Sequence, residues 1–112
     1  MRSMGVDVGA VRIGVALSEG SLALAHETLA ANDSAARRLS ELASEKRVNE
    51  IFVGLPLSLS GERTKSTEMA ADFARELAAL TDAAVFVIDE RLSTVSSQRL
   101  LQIGRASCRE RV

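Results

Sequence analysis

Between Ser3 and Ser18 (SMGVDVGAVRIGVALS) apolar residues alternate with small or polar ones, interrupted midway by Gly9-Ala10. A period of two sends successive side chains to opposite faces, so this stretch predicts two strands joined as a hairpin and puts a sheet at the start of the fold. A third strand is expected at Leu22 to Leu29, after which the period changes. Asn32-Asp33-Ser34 offers cap chemistry to a helix running to about Arg47, with Ala35, Leu39, Leu42 and Ala43 on one face and Arg37, Arg38, Glu41 and Glu45 on the other. Glu50 to Leu55 is an apolar run closed by Pro56, and its lack of alternation predicts a strand covered on both faces. Ser58 to Thr67 has loop composition, and from about Ser66 the residues Met69, Phe73, Leu77 and Leu80 recur at helical spacing. Ala84 to Ile88 is another buried strand, ending at Asp89-Glu90-Arg91. Ser93 or Thr94 then caps a last helix with Val95, Leu100 and Ile103 inward and Gly104 as its C-cap. Three strands followed by helix and strand in alternation predict an α/β fold, a mixed sheet with an antiparallel start, parallel later strands and helices packed on it.

The 112 residues support one domain and exclude a two-domain enzyme. That domain is expected over residues 1–104. The tail Arg105 to Val112 (RASCRERV) carries three Arg and one Glu with no hydrophobic period, and reads as a frayed appendix foreign to the fold. Its Cys108 is the single cysteine, which excludes an internal disulfide or a multi-cysteine zinc site. With no Trp, no Tyr and only Phe52, Phe73 and Phe86, the chain has no aromatic platform of the kind single-strand binders use. A net charge of -1 excludes nucleic-acid binding by bulk positive charge. The basic residues are arginines apart from Lys46 and Lys65, which suits bidentate contacts to phosphate or carboxylate. No segment has the make-up of a signal peptide or a membrane span, and a cytoplasmic location is expected.

Asp7 is the most informative position: an acid between Val6 and Val8 in an apolar strand faces a costly burial unless it is ionised for a purpose. Binding Mg2+ or Mn2+, hard ions that take oxygen ligands, is one such purpose; capping the Gly9-Ala10 turn is the alternative, and from Asp7 alone the two stand level. Glu90 shifts the balance, because Asp89-Glu90-Arg91 lies where a strand gives way to a loop, the place where α/β sheets collect ligands. Alternation lets only one of Asp89 and Glu90 face a site. Two carboxylates from strands far apart in sequence could bridge a pair of divalent ions about 3.5–4 Å apart, an arrangement suited to phosphodiester cleavage. The segment Gly54-Leu55-Pro56-Leu57, followed by Ser58, Ser60 and Gly61, could present backbone N–H groups to a phosphate, helped by Arg63 or Lys65, although by itself it reads more readily as a plain strand-to-helix loop. Arg12 is long enough to reach a phosphate or Glu90, although a surface role is cheaper, and Arg91 is expected as a further substrate contact. His26 has no partner at a useful spacing and receives no catalytic role.

Taken together, Gly5-Val6-Asp7-Val8-Gly9 with Arg12-Ile13-Gly14-Val15-Ala16, then Val53-Gly54-Leu55-Pro56-Leu57, then Asp89-Glu90-Arg91-Leu92-Ser93-Thr94 resemble the YqgF (RuvX) family in order and spacing, over residues 4–104. The resemblance implies a ribonuclease H-like fold and a nuclease acting on pre-16S rRNA 5′ ends, in ribosome biogenesis, or on Holliday junctions. It implies Asp7 as the first-strand metal ligand and Glu90 as the second acidic site residue, with nucleic acid as partner. Relatives continue past the last helix into a segment with a further aspartate, so a C-terminally truncated chain is expected here, lacking the third carboxylate, weak as a nuclease and inclined to self-associate as a homodimer. After Leu57 the chain reads Ser58-Leu59-Ser60 where relatives are more polar. Two rival readings are a non-catalytic ribosome-assembly remnant and a nucleotide-binding fragment of the actin and sugar-kinase type. Length and Ala10 after Gly9 speak against the second.

Overall fold

The alternating segments form strands and the amphipathic ones form helices in a computed structural model that describes residues 2–20, 22–56, 62, 64–89 and 100–104. The elements are β1 (Arg2–Val8), β2 (Arg12–Glu19), β3 (Leu22–Ala30), α1 (Ala35–Glu45), β4 (Glu50–Leu55), α2 (Lys65–Leu80), β5 (Ala84–Asp89) and β6 (Leu100–Gly104). They make one sheet in the order β3-β2-β1-β4-β5-β6. β1, β2 and β3 pair antiparallel, β1, β4 and β5 pair parallel, and β6 runs antiparallel to β5. The antiparallel start and the parallel later strands are as the sequence predicts.

Register explains where the core sits. Leu17, Met4, Ile51 and Val85 lie side by side across β2, β1, β4 and β5, and Val15, Val6, Val53 and Val87 form the next row. All eight are buried, on one face of the sheet, and the buried residues of both helices join the same cluster. α1 contributes Ala35, Ala36, Leu39 and Ala43, and α2 contributes Thr67, Ala70, Ala71, Ala74, Leu77 and Ala78. Each helix therefore presents one fully buried large side chain on a floor of alanine, which lets the helices approach closely, with Leu42 and Phe73 partly buried beside the core.

That close approach corrects the single apolar face that the helical spacing of Met69, Phe73, Leu77 and Leu80 describes. Met69 and Leu80 are 41% and 50% exposed, because the space beneath the helix admits methyl groups and the larger side chains are pushed to its flanks. The covering of β4 on both faces is also corrected. The helices pack on the Ile51 and Val53 side, while Phe52 and Gly54 on the other face are only half-buried among the described residues. There the Phe52 and Phe86 rings stack with centroids 5.3 Å apart. A third correction concerns residues 100–104, expected to end a helix with Leu100 and Ile103 inward and Gly104 as cap; they form β6 instead, with Ile88 opposite Leu100. The edge of β5 offers these residues backbone donors and acceptors for an antiparallel ladder, a partner that no local pattern shows. Residues 90–99 and the tail 105–112, with Cys108, lie outside the described residues.

The two ends of α1 depart from simple expectation. Ser34 holds the N-cap position without a side-chain cap bond, and the adjacent turn is held by Asn32, whose Oδ1 accepts the Ser34 N–H at 2.9 Å. At the other end the Val48 N–H donates to the Ala43 carbonyl and the Arg47 N–H to the Ser44 carbonyl, the paired bonds of a Schellman turn. Arg47 takes the left-handed conformation this turn requires, with φ 58, where glycine is usual. Arg47→Gly is therefore expected to stabilise the fold by about 0.5–1 kcal/mol, read as a higher melting temperature. A lower one would show that the exposed Arg47 side chain contributes more than its backbone costs.

Candidate active site

The strand order reverses beside β1: the chain runs outward through β2 and β3, returns over α1, and continues outward on the other side through β4 and β5. In open α/β sheets such a reversal leaves a crevice at the carboxyl ends of the strands. Here those ends are Asp7-Val8 of β1, Gly54-Leu55 of β4 and Asp89 of β5, and Leu55 pairs with Asp89.

Asp7 stands on the face opposite the helices, because Val6 on one side of it is buried in the core and alternation turns Asp7 the other way. Its pair across β2 is Gly14, and a Cβ built on Gly14 would come no nearer than 3.9 Å to the Cβ of Asp7. The side chain is exposed rather than buried, so the expected desolvation cost does not arise. The turn-cap role fails as well. The hairpin is closed by the backbone, the Gly9 N–H donating to the Arg12 carbonyl at 2.9 Å, and among the described residues no hydrogen bond or ion pair engages the Asp7 carboxylate. An exposed carboxylate with no partner among the described residues, flanked by bare glycine backbone, is suited to bind a ligand.

Gly9 makes this hairpin possible. A Cβ at that position would lie 2.7 Å from the Arg12 carbonyl oxygen, a backbone atom that cannot swing aside. Gly9→Ala is therefore expected to cost about 1–3 kcal/mol, measured by chemical denaturation. An unchanged midpoint would show that the turn relaxes freely.

Arg12 begins β2 and is exposed on the same face as Asp7, two residues from Gly14. Gly54 also lies on that face, one step beyond the Val6–Val53 pair, so the sheet brings Asp7, Arg12 and Gly54 together. Pro56 follows the end of β4, and Lys65 opens α2 exposed. Glu90, Arg91, Ser58, Ser60, Gly61 and Arg63 lie outside the described residues, and the side chain of His26 is likewise not described. Among the described residues no three His, Cys, Asp or Glu side chains gather into a metal-ligand set. Asp7 is one hard oxygen donor, open and uncommitted, which fits a share in a magnesium or manganese site.

Sequence reasoning missed Thr67, which it placed at the end of a loop. Its side chain is fully buried and its hydroxyl donates to the Pro56 carbonyl. With Thr64 it forms a capping box at the start of α2. The T-x-x-T spacing of Thr64 and Thr67 just before an Ala-rich helix was the available signal.

A family model described as "RuvX: Holliday junction resolvase" matches residues 1–112. The chain belongs to the RuvX family. Curated RuvX relatives called "Putative pre-16S rRNA nuclease" include one from Leifsonia xyli subsp. xyli, 48% identical over 88% of this chain and 66% of its own length. Another, from Clavibacter sepedonicus, is 46% identical over 96% and 71%. A relative from Mycobacterium leprae is 47% identical over 90% and 58%. This RuvX chain thus spans about two thirds of the length of the relatives it matches. Among solved structures, Thermus thermophilus RuvC aligns with a TM-score of 0.57 at 16% identity over 78% of this chain and 63% of that one. RuvC from the same organism in complex with a Holliday junction substrate aligns at 0.58 and 17%, over 78% and 65%. These likenesses establish the RuvC-like, ribonuclease H-like fold. An exopolyphosphatase from Cytophaga hutchinsonii aligns at 0.51 and 12% over 80% of this chain and 34% of that one, so topology by itself does not select nuclease chemistry.

Proposed function

We propose that this RuvX chain is the catalytic core of a metal-dependent nuclease that hydrolyses phosphodiester bonds in pre-16S rRNA. The observation that carries the proposal is Asp7: exposed, without a hydrogen-bond or ion-pair partner among the described residues, at the carboxyl end of β1 where the strand order reverses. Family membership and the names of the relatives support the nuclease reading, and the exposed face suits a polymeric substrate that has no need of an enclosing pocket. Asp7 and Glu90 would hold the Mg2+ or Mn2+, which when bound supplies Lewis-acid activation of water and charge stabilisation at the leaving oxygen. Arg12 and Arg91 would pair with phosphate, and Gly54 and Pro56 would let the sugar-phosphate backbone come close to the sheet. No helix among the described residues is long and apolar enough to cross a membrane. A cytoplasmic site of action and a homodimeric state belong to the same proposal.

The test is cleavage of a labelled pre-16S leader RNA and of a four-way DNA junction, each with Mn2+ and with EDTA. Manganese-dependent cutting of the RNA in preference to the junction is the expected result. Cutting of the junction alone would reassign the substrate to branched DNA, and no cutting of either would favour the non-catalytic assembly role.

A further inference from the structure

Pro56 directly follows β4, which closes at Leu55, and its carbonyl lies just beyond the strand's last residue. That carbonyl accepts the hydroxyl proton of Thr67. The same hydroxyl oxygen accepts the Thr64 N–H at 3.0 Å, while the Thr67 N–H donates to Thr64 Oγ1 at 3.3 Å. One hydroxyl, fully buried at 0% exposure, thus joins the last residue before the 57–63 segment to the first residue after it. A capping box by itself needs only the exchange between Thr64 and Thr67. The bond to Pro56 is additional: it ties the start of α2 to the strand end next to Asp7, eleven residues back in the chain.

We propose that Thr67 is a positioning residue for substrate, setting Gly54, Leu55 and Pro56 at the height on the sheet where a nucleic-acid backbone meets Asp7. It acts through Pro56 and touches neither substrate nor metal. The inference rests on the nuclease reading above and adds to it a residue outside the acidic site. Thr67→Val keeps the shape of the side chain and deletes the hydroxyl, and Thr67→Ser keeps the hydroxyl. Thr81→Val is the control: Thr81 is also buried, at the opposite end of α2, where its Oγ1 accepts the Ala83 N–H at 3.2 Å beside the amino end of β5 rather than the carboxyl ends near Asp7.

The experiment measures binding of a fluorescent pre-16S leader RNA and a fluorescent four-way DNA junction by anisotropy, together with Mn2+ affinity and melting temperature. Thr67→Val is expected to weaken nucleic-acid binding about tenfold with Mn2+ affinity unchanged, since a misplaced binding group costs at least that much. Thr67→Ser should bind within about twofold of the parent chain, and Thr81→Val should bind as the parent does even where it melts lower. Unchanged binding by a folded Thr67→Val, or equal weakening by Thr81→Val, would overturn the positioning role and leave the nuclease reading standing. If the parent chain binds neither probe, both fall together. Should Thr67→Val fail to fold, Thr67→Ser decides: a tenfold loss with the hydroxyl retained would contradict the assignment, and parent-like binding would support it.

Discussion

Asp7→Asn is expected to lower metal-dependent cleavage by about 10²-fold or more while leaving the fold intact. The two halves of this expectation have separate causes. Cleavage falls because the amide is a poor ligand for a hard cation and carries no charge to offset it. Stability holds because the Asp7 side chain is exposed and makes no hydrogen bond or ion pair among the described residues, so a near-isosteric replacement should stay within about 0.5 kcal/mol. A large drop in melting temperature would instead mean that Asp7 serves the hairpin. Activity equal to the parent would remove it from the chemistry.

Leu39→Ala is expected to be the most destabilising single change in α1, at about 2.7–5 kcal/mol. Leu39 is 0% exposed, and the other buried residues of that helix are Ala35, Ala36 and Ala43, none able to fill the cavity left behind. Against a total stability of about 5–15 kcal/mol for a domain of this kind, the loss should lower the melting temperature by roughly 10 °C or more. Circular dichroism on heating checks it. A shift of only a few degrees would show that α1 settles onto the sheet and closes the cavity.

What the sequence revealed of this fold depended on how local the cause was. The hairpin was legible because alternation from Ser3 to Ser18 and the Gly9-Ala10 break are local facts that the backbone obeys directly. Both long helices were legible for the same reason, in the period of their apolar residues. Which side of α2 turns inward was not, since Met69 and Leu80 lose their places to alanines only once α1 stands alongside, and no window of α2 contains α1. Residues 100–104 were misread because their partner is the edge of β5, a tertiary fact. At the site, the Val6-Asp7-Val8 pattern singled out Asp7 but gave it the wrong environment. Alternation indeed sets Asp7 off from Val6, but the face it turns to is open rather than a second core. The Thr67–Pro56 bond escaped notice because a threonine at a loop end looks like any other until the fold places the Pro56 carbonyl beside it.

The central claim, that Asp7 is a metal-bearing carboxylate, is tested most directly by Mn2+ titration followed by water-proton relaxation, which requires no turnover. The parent chain, Asp7→Asn and Asp33→Asn are compared at one protein concentration, Asp33 being an acid that precedes α1 rather than one at the carboxyl end of β1. The account expects Asp7→Asn to weaken Mn2+ binding by at least about tenfold and Asp33→Asn to bind as the parent does. Equal affinity in all three proteins, or equal loss in both variants, would contradict it.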